Sequence, residues 1–175
     1  GERTGRAHVL HAIGSLHLDN GQFNSAKNCF EEAKAHHVDV GDHRGAALTS
    51  GNLARLHHMC GEADEARKHY QDAILCLDEL GDTRFAHIYR ANEGTLLHEQ
   101  GDIDLARQAY QESIQPLLRM GDRRFAAMFL GRQAVLEADG GATIEALHSL
   151  EQAERLLGDT TDPVLASTLA LHRAH

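Results

Sequence analysis

The phrase Gly-Asp-x-Arg recurs along this chain at intervals of 40 residues. It occurs as GDHRGA at 41–46, as GDTRFA at 81–86 and as GDRRFA at 121–126. A second series of glycines, at positions 21, 61, 101 and 141, falls midway between these phrases. Between the glycines, apolar residues recur at intervals of three and four, which places them on one face of a helix. The spacing therefore predicts a succession of helices separated by glycine turns.

The junction phrase can be explained as the end of one helix followed by the start of the next. Glycine tolerates the left-handed backbone conformation that closes a helix, so Gly41, Gly81 and Gly121 are predicted to end helices. The aspartate that follows each glycine can accept hydrogen bonds from the free N–H groups of the next helix. The arginines of the phrase have no firm assignment. Exposed pairs with acidic residues at the end of the previous helix, such as Asp78 or Glu79, are one interpretation.

Matching positions of the 40-residue units carry the same kinds of side chain. A small residue stands at 26, 66, 106 and 146, a large one at 30, 70, 110 and 150, and a second small one at 33, 73, 113 and 153. Small residues let two helix backbones approach, and the large side chain fills the space one turn later. Internal repetition at this length predicts an α-solenoid of antiparallel helical hairpins.

We predict one all-α domain over residues 1–175, with hairpins at 1–40, 41–80, 81–120 and 121–157. A last helix is expected over 163–174, because Pro163 suits the first turn of a helix. Pro116 lies well inside the second helix of the third repeat. It removes one backbone hydrogen bond there, and we expect it to kink that helix.

The sequence of Ala66, Tyr70 and Ala73 after Gly61 resembles the tetratricopeptide repeat (TPR), and the first unit carries a similar pattern after Gly21. The resemblance covers essentially the whole chain and implies a right-handed superhelix of helical hairpins. The usual unit of that family has 34 residues. The 40-residue unit here looks like the lengthened variants with a Gly-Asp junction, found in spindle-orientation adaptors and in MalT-like bacterial regulators. Armadillo and HEAT repeats have a similar period, but the mid-unit glycine favours the TPR.

In the TPR family the first helices of successive hairpins line a concave groove that binds a peptide. The resemblance implies that this groove includes His8, His11, Ser15, Asn52, Arg55, His58, Asn92, Thr95, His98, Met128, Arg132 and Val135. Asn52 and Asn92 occupy the same position in two repeats, and a carboxamide can both donate to and accept from a peptide backbone. Arg55 and Arg132 could bind acidic side chains or a terminal carboxylate. The plainer alternative is that the asparagines bind water or satisfy neighbouring helix ends.

Charge and composition argue against several classes of partner. The formal net charge is −9 at pH 7, which disfavours nucleic acid and anionic membranes, because both are bound by clustered Lys and Arg. No apolar run approaches the length of a membrane span. The three cysteines (Cys29, Cys60 and Cys76) fit neither a disulfide framework nor a zinc motif, so a reducing cytoplasm is the natural location.

The sequence does not predict an enzyme, a cofactor or a metal site. It contains no phosphate-binding glycine loop, no nucleophile elbow and no His-Glu-x-x-His helix. The chain has 14 histidines, but neither Cys nor a carboxylate completes a recognised ligand spacing with them. With so many imidazoles we expect some property of the chain to change between about pH 5 and 7.

Three functions remain open from the sequence. The first is a protein-interaction module, part of a larger bacterial signalling or regulatory protein, which binds a peptide or a helix in the groove. The second is self-association through the apolar final helix, which carries Val164, Leu165, Leu169 and Leu171. The third is a small-molecule sensor, which ranks lower because aromatic residues make up only 5% of the chain and tryptophan is absent.

Overall fold

The computed structural model of this chain describes residues 2–158. Within that range it contains eight α-helices and no β-strand. The helices are α1 (Glu2–Asp19), α2 (Phe23–Asp39), α3 (His43–Met59), α4 (Ala63–Glu79), α5 (Thr83–Gln100), α6 (Ile103–Arg119), α7 (Arg123–Asp139) and α8 (Thr143–Leu157). This confirms the predicted all-α fold of successive helical hairpins. The predicted final helix at 163–174 lies outside the described residues.

Packing between consecutive helices builds each of the hairpins α1–α2, α3–α4 and α7–α8. The hairpins α1–α2, α3–α4 and α7–α8 have the most extensive contacts, and α2 packs on α3 as α6 does on α7. Pro116 stands inside α6, and the helix continues past it to Arg119.

The small–large–small pattern forms the core between the helices. Phe30, Tyr70 and Tyr110 are all fully buried, and so are the small residues on either side of them, Ala26, Ala33, Ala66, Ala73, Ala106 and Ser113. Gly14 shows how closely the helices approach, because a Cβ atom there would lie 2.7 Å from Cδ1 of the Phe30 ring. The repeat is therefore a packing pattern, in which absent or small side chains make room for one ring in each of the first three hairpins.

The junctions have the predicted geometry. Gly41, Gly81 and Gly121 have φ angles of 72°, 73° and 77°, in the left-handed region. The aspartate after each glycine accepts a hydrogen bond from the backbone N–H three residues on: Asp42 from Gly45 at 2.9 Å, Asp82 from Phe85 at 3.5 Å, and Asp122 from Phe125 at 3.3 Å. Two adjacent residues, a glycine and an aspartate, therefore end one helix and begin the next.

The interpretation of the junction arginines is wrong for Arg44. Its Nε donates to Oδ2 of Asp82 at 2.8 Å, so it pairs with the next junction and not with the end of the previous helix. Asp78 is instead bonded to Arg90, whose guanidinium donates to it at 2.8 Å. Arg44 can bind Asp82, 38 residues further along the chain, because the two successive junctions lie side by side.

The chain divides into two compact units, with the border between Asn92 and Glu93 inside α5. The first unit holds α1 to α4 and the start of α5, and the second holds the rest of α5 with α6, α7 and α8. None of the helices in the described part of the chain combines the length and the apolar character needed to cross a membrane.

Candidate functional site

A chain of hydrogen bonds in the first unit joins α3 to α1. The Thr49 hydroxyl donates to the Gly45 carbonyl at 2.8 Å, so it has no proton left for another acceptor. It therefore accepts from Nδ1 of His11, which lies 2.8 Å away. The other ring nitrogen, Nε2, is then free to accept from Nδ2 of Asn52 at 3.1 Å. These bonds assign His11 to the neutral tautomer that carries its proton on Nδ1.

The surroundings of His11 also favour its neutral form. Burial lowers the pKa of His11, and the positive charges that His37 and His8 can carry lower it further. A neutral imidazole is the form that can accept the Asn52 hydrogen bond. Hydrogen bonding and electrostatics therefore agree on one protonation state.

Asn52 and Asn92, the predicted clamp, are both half-buried. Asn52 is fixed by its bond to His11, and its carbonyl oxygen has no partner among the described residues. Asn92 forms no hydrogen bond within the part of the chain that the structure describes. Both side chains therefore keep hydrogen-bonding capacity. Their joint role as a peptide clamp stays a prediction.

Arg55 is already paired within the chain. Its guanidinium donates to Oδ1 of Asp19 at 2.9 Å, and the side chains of Arg55 and Asp19 are 41% and 68% exposed. The Nε of Arg55 is buried and has no hydrogen-bond partner in the described part of the chain. An acidic ligand at Arg55 would have to compete with Asp19.

The remaining predicted site residues of the first unit differ in their exposure and in their contacts within the chain. His8 is exposed and lies edge-on to the ring of His37, with ring centroids 5.0 Å apart. The Ser15 hydroxyl donates back to the His11 carbonyl at 3.1 Å, which satisfies it within its own helix. His58 is half-buried.

In the second unit Thr95 does not face a groove. It is 7% exposed, and its hydroxyl accepts a hydrogen bond from the Tyr110 hydroxyl at 3.0 Å. Thr95 therefore serves the core, because the buried phenol needs a partner. His98 pairs with Asp139 at 3.1 Å. Of the other predicted residues, Met128 and Val135 are half-buried and Arg132 is exposed.

Sequence reasoning missed Thr49, which holds His11, and Asp19, which holds Arg55. Thr49 lies 38 residues after His11, and Arg55 lies 36 residues after Asp19. Both separations are close to one repeat. Positions about one repeat apart face each other on adjacent first helices, so the period itself could have indicated both pairs.

The first unit also contains an open cavity of about 500 Å³ between α2, α3 and α4. It is lined by Glu31, Lys34, Ala35, Val38, Asp39, Leu53, His57 and His69. The rings of His57 and His69 stack with their centroids 5.3 Å apart, and Ser50 Oγ lies within hydrogen-bond distance of both Lys34 Nζ and His69 Nδ1. Among the described residues, the only rings that line this cavity are the two imidazoles, and the mixed charges of the lining favour no single class of ligand.

Comparison with protein families matches part of this chain. Residues 5–74 match the family model described as Tetratricopeptide repeat. Domains of that family generally mediate protein–protein interaction and are typically not enzymes. A comparison with curated proteins finds no match.

Several solved structures are similar to this chain. BtubC (BKLC) from P. vanneervenii has a TM-score of 0.73 at 16% identity, covering 86% of this chain and 62% of its own. The MamA protein has a TM-score of 0.52 at 15% identity, covering 87% of this chain and 92% of its own. A Podosopora anserina protein described as a kinesin light chain, with nearly identical TPR-like repeats, has a TM-score of 0.55 at 14% identity, covering 98% of this chain and 96% of its own.

These similarities show the fold alone, because the identities are low. They agree with the helical-hairpin architecture and with the family match over residues 5–74. The chain spans 62% of the length of BtubC.

Proposed function

We propose that this chain is a protein-interaction module that binds an extended peptide, or a helix of another protein, along α1, α3 and the start of α5. One observation carries the proposal. Asn52 is held in place by its bond to His11, while its carbonyl oxygen has no partner among the described residues. A polar group that is already ordered loses little conformational freedom when it binds, so it can contribute to affinity.

The charges nearby favour a partner with an acidic side chain or a terminal carboxylate. Arg55 binds Asp19 through an exposed pair, and such pairs are weak. A carboxylate of the partner can take the place of Asp19 on the guanidinium, and Asp19 can turn into solvent. The exchange leaves no charge buried without a counter-ion, so its cost is small.

The 40-residue unit with its Gly-Asp junction supports a more specific proposal about the kind of protein to which this chain belongs. That unit resembles the lengthened repeats of MalT-like regulators, and we place the chain within a larger bacterial signalling or regulatory protein in the cytoplasm. The net charge of −9 favours a protein partner over nucleic acid or an anionic membrane.

The proposal is tested by capture of a partner from lysate of the source organism. The bait is the 175-residue chain, compared with the double variant Asn52→Ala, Asn92→Ala. The matched control is Asn24→Ala, Asn28→Ala, which removes two exposed carboxamides from α2 instead. Circular dichroism first establishes that all three fold alike. Proteins retained by the wild type are identified by mass spectrometry, and their affinities are then measured with purified components.

We expect the wild type and the α2 control to retain the same protein, and the first-helix variant to bind it at least about tenfold more weakly, the loss typical of one or two buried hydrogen bonds. Equal affinity for all three baits would show that binding occurs elsewhere. Retention of nothing by the wild type would count against an interaction module.

Self-association is the alternative function, and it has a separate test. The residues that suggested it lie at 163–174, outside the described residues. Light scattering across a concentration series distinguishes the two functions, because a strict monomer at high concentration rules out assembly and leaves partner binding intact.

A further inference from the structure

Three potential metal ligands from three helices meet in the first unit. His8 lies on α1, His37 lies in the last turn of α2, and Asp42 caps the start of α3. Their ligand atoms all lie within 4.8 Å of one another. His37 Nδ1 is 2.8 Å from Asp42 Oδ2, and His8 Nε2 is 3.9 Å from the same oxygen.

The carboxylate of Asp42 is held so that one oxygen faces both imidazoles. Its Oδ1 accepts the Gly45 N–H at 2.9 Å, which leaves Oδ2 directed toward His37. His37 is 1% exposed, so its ring cannot turn away from the carboxylate. His8 is the mobile member, with 62% of its side chain exposed.

The His37–Asp42 pair is not by itself unusual in this chain. A histidine near the end of a helix pairs with the residue five positions on at two other turns, His17 with Gln22 and His57 with Glu62. The pair alone therefore serves the helix junction. His8 and Gly45 distinguish this junction from the others.

Comparison with the other repeats shows how the junction differs. The position of His8 holds Leu48 in the next repeat and Ile88 in the one after. The position of His37 holds Leu77 and Leu117, and the position of Gly45 holds Phe85 and Phe125. The equivalent positions elsewhere are thus apolar throughout. Of the three junctions, this one has two histidines and a glycine where the other two have leucine, isoleucine and phenylalanine.

The glycine opens the space that the ligands surround. A Cβ atom at Gly45 would overlap both Nδ1 of His37 and Oδ2 of Asp42. A phenylalanine, as at the equivalent positions 85 and 125, could not be accommodated without moving both groups. The absence of a side chain at 45 is therefore tied to the His–Asp pair.

We propose that His8, His37 and Asp42 bind a divalent transition-metal ion, with Zn²⁺ as the natural probe. Two imidazoles and one carboxylate form a donor set that suits such ions. Tetrahedral zinc with bonds near 2.1 Å requires ligand atoms about 3.4 Å apart. Rotation of the exposed His8 side chain brings its Nε2 closer to Asp42 Oδ2, and the Asp42 carboxylate has to move slightly away from His37 Nδ1, which lies 2.8 Å from it. Nδ1 of the neutral His37 ring binds the ion after the ring changes tautomer, so that its proton moves from Nδ1 to Nε2 and the hydrogen bond to Asp42 gives way to the metal bond.

Neighbouring groups limit the site to three protein ligands. The nearby His11 has both ring nitrogens engaged, by Thr49 and Asn52, so it is not a ligand. The fourth position is open to water or to a donor atom of a bound partner. The ion would join α1, α2 and α3, and two of these helices, α1 and α3, carry His11 and Asn52.

The test is a Zn²⁺ titration of the 175-residue chain, produced without a histidine tag, by isothermal calorimetry at about pH 7.5, where free imidazoles are neutral. His8→Leu places at position 8 the residue that position 48 holds. Asp42→Asn keeps an acceptor for the Gly45 N–H but removes the charge. The control His43→Gln removes an exposed imidazole next to Asp42 that is not part of the cluster.

We expect one tight Zn²⁺ site in the wild type and in His43→Gln, and an affinity at least about tenfold lower in His8→Leu and Asp42→Asn. In nitrogen-resolved NMR spectra, Zn²⁺ should shift Nδ1 of His37 and Nε2 of His8. The proposal fails if the wild type binds no Zn²⁺, if His8→Leu binds it as tightly as the wild type, or if His43→Gln weakens binding equally. Any of these results would leave His37 and Asp42 as a helix-junction pair only.

Discussion

Asn52 donates a hydrogen bond to Nε2 of His11 at 3.1 Å, across the contact between the first helices of two successive repeats. Only a neutral imidazole can accept this bond, because both nitrogens of a protonated ring are donors. The residue best placed to bind a partner is therefore oriented by a group that titrates. This links the proposed binding face to pH.

Acidification should destabilise the fold through His11. Burial, together with the charges of His37 on α2 and His8 on α1, lowers the pKa of His11 below its normal value of 6.5. Near and below that pH, His11 binds a proton more readily in the unfolded chain than in the folded chain. The stabilisation by neutral His11 is therefore complete above pH 6.5 and is lost as the pH falls through the folded-state pKa. Urea unfolding of the wild type between about pH 8 and 5 should show this loss.

The variant His11→Gln isolates this contribution. It should unfold with a weaker dependence on pH than the wild type, while the control His43→Gln, which changes an exposed ring, should keep the wild-type dependence. Identical pH profiles for wild type and His11→Gln would contradict the assignment of His11 as a buried neutral ring.

The helices and their boundaries could be predicted because their signals are local. Gly41 ends a helix through its own φ angle, and Asp42 caps the next helix through the N–H three residues on. Both effects act within one turn of chain. The small–large–small pattern could also be recognised in the sequence, because it recurs wherever a ring such as Phe30 or Tyr70 is buried between helices.

The side chains of the candidate site were harder to predict, because repeats with the same backbone differ in what surrounds each position. Ser15, Arg55 and Thr95 occupy one aligned position, yet Ser15 bonds to its own helix and Arg55 bonds to Asp19. Thr95 is buried because Tyr110 brings a hydroxyl into the core, whereas Phe30 brings none. The contacts of each residue therefore depend on neighbouring side chains that differ from one repeat to the next.

The grouping of His8, His37 and Asp42 could not be predicted from the sequence for a related reason. His8 and Asp42 are 34 residues apart, and no short motif connects them. The signal that was present is a contrast between repeats: at this junction the chain has His, His and Gly where the next one has Leu, Leu and Phe. Departures from an internal repeat are therefore more informative about function here than the repeat itself.

Substitution of two glycines at the same repeat position should have opposite effects on stability. A Cβ atom at Gly51 would overlap the ring of Tyr89, which is 6% exposed and is fixed by a hydrogen bond from its hydroxyl to the Leu48 carbonyl at 3.0 Å. Gly51→Ala should therefore lower the free energy of unfolding by about 1–3 kcal/mol. At Gly131 no atom lies within 4 Å of the added Cβ, so Gly131→Ala should raise it by up to about 1 kcal/mol.

Urea unfolding of both variants, monitored by circular dichroism, measures the two free energies. The position between them in the repeat series already holds Ala91, which shows that alanine is compatible with this site in a third repeat. A stabilising effect of Gly51→Ala would mean that the Tyr89 ring moves aside at little cost, contrary to the packing described here.

The junction aspartates should contribute to stability through a cap hydrogen bond and not merely through their charge. Asp122 and Asp102 precede α7 and α6 in the second unit, but only Asp122 accepts a side-chain cap bond, from Phe125 N–H at 3.3 Å. Replacing either aspartate by alanine removes one negative charge from a helix N-terminus. Asp122→Ala should be the less stable by about 0.5–1 kcal/mol, the usual contribution of an N-cap bond. Thermal and urea unfolding of the two proteins side by side gives this difference. Equal losses would show that the Gly-Asp phrase restarts its helix through electrostatics alone, in which case Asp122→Asn should be as destabilising as Asp122→Ala.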